Sequence, residues 1–273
     1  MTQTCDVAVI GGGPAGSTAA YALAEKGWNV VLFEKEKHPR FHIGESLLPM
    51  NQPVFERIGV LDEVKRIGVY KPGAEFYDVN PDNPPHRFYF RDALDKNFPD
   101  AYQVRRDQLD EVLLRNAEQR GAQIFEQTKV TGVNFGDEDQ GATLMVTPDG
   151  GEPQSWQTRY VVDASGRDTL LAGQFGIKRK NMRHASAAIF GHFRHVPRNP
   201  GPEAGLISVC WFEHGWIWFI PLPDGLMSVG AVCSPAYLKT RRGSTEAFLA
   251  DTIALTPPHV RQRMAHAELV GEV

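Results

Sequence analysis

The feature that most constrains this chain is a glycine-rich turn set between a strand and a helix near its start. Residues 7–10, Val-Ala-Val-Ile, form a short apolar run with β-branched side chains, the pattern of a parallel strand buried on both faces. The run leads straight into Gly11-Gly12-Gly13-Pro14-Ala15-Gly16, which contains G-x-G-x-x-G. Residues 15–26 are alanine-rich and predict a helix, with Gly27 as its C-terminal stop. A second apolar strand is predicted over residues 30–33 and ends in Glu34.

Each part of this run has a physical job. Gly11 permits the tight turn, Gly13 removes the side chain that would block a pyrophosphate, and Gly16 lets helix and strand pack closely. Helix N-terminal amides then face a phosphate anion. Glu34, 18 residues after Gly16, ends the second strand, where a carboxylate accepts hydrogen bonds from ribose hydroxyls. A glycine-rich turn alone is a weak signal. Strand, motif, helix, strand and acid in this order specify dinucleotide binding. FAD is favoured over NAD by the chain beyond Glu34: in place of regular βα alternation it has an irregular stretch, residues 38–53, and then many short strands.

At 273 residues and 42% hydrophobic content the chain can bury a full core, as one large domain or two modest ones. A net charge of −4 gives no electrostatic reason to expect nucleic acid or an anionic membrane as partner. Cys5, Cys210 and Cys233 are odd in number and carry no metal-ligand spacing, so neither zinc nor a disulfide framework is expected. There is no signal-peptide pattern at the start and no apolar run long enough to span a bilayer. The expectation is a soluble, cytoplasmic protein without a bound metal.

Further along, residues 51–67 predict one or two short helices and residues 74–79 and 86–91 predict strands. Residues 107–120 form an amphipathic helix with Leu109, Val112, Leu113 and Ala117 as its apolar stripe. Strands are predicted at 122–126, 129–135, 142–147 and 160–162, the last leading into Asp163-Ala164-Ser165-Gly166-Arg167. From about 183 to 233, β-rich runs between Pro/Gly turns imply a second, antiparallel sheet, and residues 235–266 read as helical. The fold class is α+β: a Rossmann-like α/β core with an inserted antiparallel sheet. The FAD-binding part is expected over 1–70 and 100–182, and the β-sheet substrate part over 71–99 and 183–273.

Four motifs now stand together: G-x-G-x-x-G, Gly44-Glu45-Ser46-Leu47-Leu48-Pro49, Gln103-Val104-Arg105-Arg106, and Val162-Asp163-Ala164-Ser165-Gly166. As a set they resemble the para-hydroxybenzoate-hydroxylase-like flavoproteins, which include aromatic monooxygenases, geranylgeranyl reductases and flavin-dependent halogenases. Trp216-Ile217-Trp218-Phe219-Ile220-Pro221 is similar to the W-x-W-x-I-P signature of the halogenase branch. Trp216 and Trp218 lie two apart and so share one strand face, as a buried aromatic ladder also would.

The resemblance implies roles. Gly11, Gly13, Pro14, Ala15 and Gly16, with Glu34, Lys35 and Ser46, are expected to hold FAD. Arg106 is similar to an arginine on the FAD diphosphate or ribityl chain, with Gln103 near the same chain. Val130 lies on the strand that touches adenine, and Asp163 belongs to a motif closing around the pyrophosphate. Arg106 at a helix N-terminus opposes the helix dipole unless an anion is close. Lys71, 25 residues after Ser46, corresponds to the catalytic lysine of halogenases acting on phenols and pyrroles. Its neutral amine is nucleophilic, and partial burial lowers its pKa into range. Trp216, Trp218, Ile220 and Pro221 would wall the substrate from the flavin. Glu45 has two readings, a hydrogen bond in the flavin surroundings or a cap on the next helix.

The implied reaction uses reduced FAD, O2 and halide on an electron-rich aromatic ring, free or tethered to a carrier protein. Hydroxylation of an aromatic ring and saturation of an isoprenoid are the alternatives. With no second G-x-G-x-x-G for NADPH, a separate flavin reductase is expected. A third flavin motif, G-D-A after the second sheet, is missing beyond residue 233, so the sequence reads as a partial one.

Overall fold

The computed structural model describes residues 3–80, 82–137, 140–179, 181 and 186–273. In chain order the first elements are β1 (Gln3–Ile10), α1 (Pro14–Glu25), β2 (Val30–Phe33), α2 (Gln52–Arg57) and α3 (Leu61–Ile67). Then come β3 (Val69–Lys71), β4 (Gly73–Tyr77), β5 (His86–Tyr89), β6 (Ala101–Gln103) and α4 (Arg106–Gln119). They are followed by β7 (Gln123–Phe125), β8 (Thr128–Phe135), β9 (Ala142–Pro148), β10 (Gln154–Asp163) and α5 (Leu170–Gln174). The remainder is β11 (Ala187–Arg194), β12 (Ile207–Phe212), β13 (Gly215–Pro221), β14 (Met227–Cys233), α6 (Pro235–Leu238), α7 (Thr245–Ala254), α8 (Pro258–Arg263) and β15 (Glu268–Val270).

Two compact units emerge. The first comprises Met1–Ile43, Phe55–Glu63 and Arg106–Lys180. Its six-stranded sheet runs β7-β2-β1-β10-β9-β8, with β7, β2, β1 and β10 parallel and β9 and β8 antiparallel. Alternation along β1 explains the unbroken apolar run. Val7 and Val9 join Ala20, Leu114 and Ala117 under α1 and α4. Ala8 and Ile10 join Phe33, Leu144 and Trp156 on the opposite face. A strand covered on both sides has no polar position to spare. β1 starts four residues before the apolar run because Gln3, Thr4 and Cys5 pair with Trp156, Gln157 and Thr158 of β10, and backbone pairing is indifferent to side-chain polarity.

The second unit comprises Gly44–Val54, Val64–Arg105 and Asn181–Val273. Its seven-stranded sheet runs β15-β11-β14-β13-β12-β4-β5 and is antiparallel except at β4·β12. One face carries Ile189, Phe193, Ile217, Phe219, Met227 and Val229, packed with Phe248, Leu249 and Val260 of α7 and α8. Full burial of each such side chain contributes about 1.5–3 kcal/mol. The other face carries Phe190, His192, Trp218, Ile220 and Ser228, since β-strand side chains alternate. The stretch 235–266, read as helical, holds three short helices, broken at Gly243 and Pro257. β15 follows as an edge strand that three residues were too short to announce.

A small sheet, β3 antiparallel to β6, completes this unit. Residues 45–47 lie along the free side of β6: Ser46 bridges Gln103, Leu47 N donates to Tyr102 O, and Val104 N donates to Glu45 O. Segments 44–54, 64–70 and 100–105, grouped with the nucleotide-binding part from sequence, therefore sit in the second unit. The boundary expected at 182/183 lies outside the described residues. Among the described residues, no helix is long and apolar enough to cross a membrane.

Candidate functional site

In the first unit, β1 and β2 end at Ile10 and Phe33, and β10 ends at Asp163. At that edge Gly11 turns with φ +102°, a conformation that glycine adopts without strain. A Cβ on Gly16 would lie 1.9 Å from Gly11 O, so the helix can sit this close to the turn only without a side chain there. Gly13 is different. It is extended, with φ −74° and ψ −176°, and a Cβ there would meet only Arg40 Nη2 at 3.7 Å. Gly13 caps α1 and Pro14 occupies its first turn, with no side chain on the exposed amides. Those amides are open to an anion.

A groove of about 660 Å³ opens beside this turn. One wall is Gly11, Gly13, Pro14 and Ala15, a second is Glu34, Lys35, Glu36 and Arg40, and a third is Thr128, Lys129 and Val130. Ala164–Asp168 and Arg106 complete the lining. Glu34 is 3% exposed. Its Oε2 accepts from Gly12 N at 2.6 Å and its Oε1 from Glu36 N at 2.9 Å. Arg40 Nη2 lies 3.3 Å from Oε2. Burial acts to raise the Glu34 pKa, but these hydrogen bonds and the Arg40 charge hold it below the usual range. A carboxylate has about four acceptor positions. Three are taken, so one remains for a ligand hydroxyl.

Arg106 meets the anion that its place at the helix start demanded. Its Nε and Nη2 donate to Asp110 Oδ1 and Oδ2 at 2.8 and 3.0 Å, and Nη1 donates to Ile43 O at 2.7 Å. Arg40 Nη1 reaches the same Asp110 at 3.2 Å. One fully buried carboxylate therefore holds two arginines at the groove. Asp163 is absent from the lining. Burial would raise its pKa, yet Ser165 and Leu171, whose backbone N–H groups donate to it at 3.0 and 2.8 Å, hold it down. It shapes the 164–171 loop that does line the groove. Lys35 Nζ pairs with Asp168 at the rim at 2.5 Å.

The remaining candidates lie in the second unit. Lys71 is 3% exposed, and its Nζ donates to Leu47 O at 2.7 Å. The Phe90 ring centroid is 5.2 Å away. No described carboxylate pairs with this amine, and burial pushes its pKa from 10.5 down to about 8. Ser46 Oγ and Gln103 Oε1 are buried acceptors with no hydrogen-bond partner among the described residues, while Gln103 Nε2 donates to Gly205 O at 3.0 Å. Trp218 is buried, donates to Ser228 Oγ at 3.1 Å, and lies 6.0 Å centroid to centroid from Trp216. Ile220 shares their strand face, while Pro221 falls on the opposite one by alternation.

Arg40, Asp110, Thr128 and Lys129 escaped the sequence reading. The one signal for Asp110 was its place four residues after Arg106, and Arg40 carried none.

A family model described as an FAD binding domain matches residues 4–269. The chain is 35% identical over 245 residues to a tryptophan 2-halogenase of Chondromyces crocatus, covering 89% of this chain and 46% of that protein. Among solved structures, the myxobacterial chondrochloren halogenase matches with TM-score 0.89 at 34% identity, over 98% of this chain and 61% of that one. A flavoprotein/dehydrogenase of Cytophaga hutchinsonii matches with TM-score 0.90 at 30% identity, over 99% and 65%. The chain spans about half the length of the curated relatives it matches.

Proposed function

The chain belongs to the FAD binding domain family, and on that premise we propose that it is an FAD-dependent oxidoreductase of the halogenase type, acting on an electron-rich aromatic ring. Lys71 is the observation that carries this reading: a lysine 3% exposed, faced by no described carboxylate and tuned to about 8. Structural lysines keep their charge in water or against an acid. This one is held where its neutral form is accessible near physiological pH.

FAD fits the groove of the first unit. The open amides of α1, the bare Gly13 and the two arginines on Asp110 suit a diphosphate, Glu34 keeps one acceptor position for ribose, and Val130 lines the wall assigned to adenine. Gly11 and Gly16 set the turn, Pro14 and Ala15 open the helix, and Lys35 guards the rim. Asp163 acts through the loop it anchors. For Ser46 and Gln103 the support is their buried, unpartnered oxygens.

Bound and reduced, FAD supplies the activation of O2 that converts a halide ion to hypohalous acid. The neutral Lys71 amine then takes the electrophilic halogen: N–X forms, X–O breaks and water leaves. On transfer to the ring, C–X forms, N–X breaks, and the ring proton passes to nitrogen, restoring the amine. Trp216, Trp218 and Ile220 wall the ligand-facing side of the sheet, with Pro221 ending the strand. A cytoplasmic setting with a separate flavin reductase goes with this reading, as do three unpaired cysteines.

The test is an assay of the protein with a flavin reductase, NADH, O2, bromide and p-cresol, read by mass spectrometry. Brominated p-cresol is the expected product. A hydroxylated product carrying oxygen from labelled O2 would move the assignment to a monooxygenase. A second reading, a flavoprotein that does not halogenate, draws on the Cytophaga hutchinsonii likeness. It predicts flavin turnover with no brominated product.

A further inference from the structure

Phe90 is buried and follows β5 directly, opening a short turn over residues 90–92. Two backbone hydrogen bonds fix its place: Phe90 N donates to Pro72 O at 2.9 Å, and Ala93 N donates to Phe90 O at 3.0 Å. Pro72 follows Lys71 in the chain, so the first bond ties Phe90 to the end of the strand that carries the lysine. Phe88 meets the Phe90 ring edge to face, with centroids 5.8 Å apart and planes at 81°. The ring is thus held by its backbone and by a neighbouring ring.

Lys71 Nζ lies over that ring, 5.2 Å from its centroid. An ammonium has three N–H donors, and Leu47 O takes one of them. The ionisable groups on the surrounding elements are directed elsewhere. Glu45 Oε1 lies 2.7 Å from His192 Nε2, Asp100 accepts from Gln52, and Glu203 pairs with Arg87. Arg91 stacks on Tyr89, Asp92 is exposed on the same turn, and Tyr70 and Tyr102 face each other across β3 and β6. Burial is the cause of the lowered Lys71 pKa, with no neighbouring charge contributing. Among the described residues, the ring face is therefore the one electrostatic support of the ammonium besides a neutral carbonyl. The ring acts in two ways of opposite sign. Its bulk keeps water from the amine, which favours the neutral form, and its negative π face attracts the ammonium, which favours the charged one.

We propose that Phe90 is the positioning residue for Lys71: its ring face, together with Leu47 O, fixes the place of the amine and sets how readily it gives up its proton. The consequence for turnover rests on the reading of Lys71 as the reactive amine. The contact itself does not, so the experiment reads the amine and the product separately.

The protein is produced with lysine isotope-labelled at Cε and titrated by proton–carbon NMR, the Lys71 signal being the one absent from Lys71→Met. Phe90→Leu keeps an apolar cover and removes the π face, so the Lys71 midpoint should fall by about 0.5–1.5 pH units. Phe90→Ala admits water, and the midpoint should rise instead. Phe90→Tyr keeps the ring face and should titrate with wild type. Bromination of p-cresol by the same proteins should have its rising limb displaced in the same direction as each midpoint. Thermal melts establish folding, and should Phe90→Ala fail to fold, the Leu and Tyr pair decides. An unmoved or higher midpoint in Phe90→Leu, or equal displacement by Leu and Tyr, would overturn the proposal. If the midpoints move as expected while the bromination limb stays fixed, or while even wild type gives no brominated product, the role of Phe90 toward the amine stands and the reading of Lys71 as the halogenating residue falls.

Discussion

Lys71 Nζ donates to the backbone carbonyl of Leu47 at 2.7 Å, and among the described residues no acid balances its charge. A neutral oxygen supports an ammonium far less than a carboxylate does, so burial wins and the pKa falls to about 8. That fall is a stability statement. Below pH 8 the fold carries the full cost of a buried charge. Between about 8 and 10.5 the unfolded chain binds the proton more readily, so stability rises with pH; above 10.5 the cost is gone. The drop corresponds to roughly 3 kcal/mol, less about 1 for the lost hydrogen bond. Lys71→Met should therefore melt several degrees higher than wild type at pH 7. The gap should close as the pH approaches 10.5, and thermal melts across that range check it. A variant less stable than wild type at pH 7 would contradict the burial argument.

The same titration governs activity if the neutral amine is the reactive form. Halogenation should rise with pH through about 8 and then level off, while FAD binding stays flat over that limb. Lys71→Arg keeps the charge at every accessible pH and should lose ring halogenation altogether. Oxidation of reduced flavin by O2 should continue in that variant. Initial rates of product and of oxygen consumption, measured together, separate the two effects.

Asp110 offers a test on the other unit. It is fully buried and holds Arg106 by two hydrogen bonds and Arg40 by a third. Asp110→Asn leaves the largely buried Arg106 guanidinium without its anion and Arg40 with only Glu34 and Glu36, and should cost about 3–5 kcal/mol. An anionic ligand in the groove would restore part of the balance. Added FAD should raise the melting temperature of this variant more than that of wild type, because only the folded state binds it. Equal shifts in both proteins would show that the arginines do not face the ligand.

The features legible in the sequence and those hidden from it divide along physical lines. The β1–α1–β2 unit announced itself because buried parallel strands, a glycine turn and an alanine-rich helix are each local patterns. Lys71 was singled out only through the family resemblance; its burial depends on Leu47 and Phe90, which no local pattern ties to it. Asp110 carried no local signal beyond its spacing from Arg106, since a helix wheel shows its neighbours but not the arginine arriving from residue 40. The Glu45–His192 contact joins residues 147 apart, and nothing near either one signals it. The first half of β10 was missed because Gln154–Thr158 has a single apolar residue, Trp156, while pairing with the antiparallel strand β9, so it lacks the continuous apolar run of a parallel core strand.

The glycine turn supplies the sharpest pair of substitutions. Gly16→Ala forces a carbon to within 1.9 Å of Gly11 O, and only a shift of the helix or the turn relieves it. That change should cost about 3 kcal/mol or more and lower the melting temperature with or without flavin. Gly13→Ala adds a carbon whose nearest neighbour is 3.7 Å away, at backbone angles open to every residue. Its stability without ligand should match wild type within about 0.5 kcal/mol. Its affinity for FAD should nevertheless fall at least tenfold, because the new methyl occupies the space where a diphosphate meets the helix N-terminus. Calorimetric melts paired with flavin fluorescence titration distinguish the two glycines. Full FAD affinity in Gly13→Ala would mean that the diphosphate does not approach this turn.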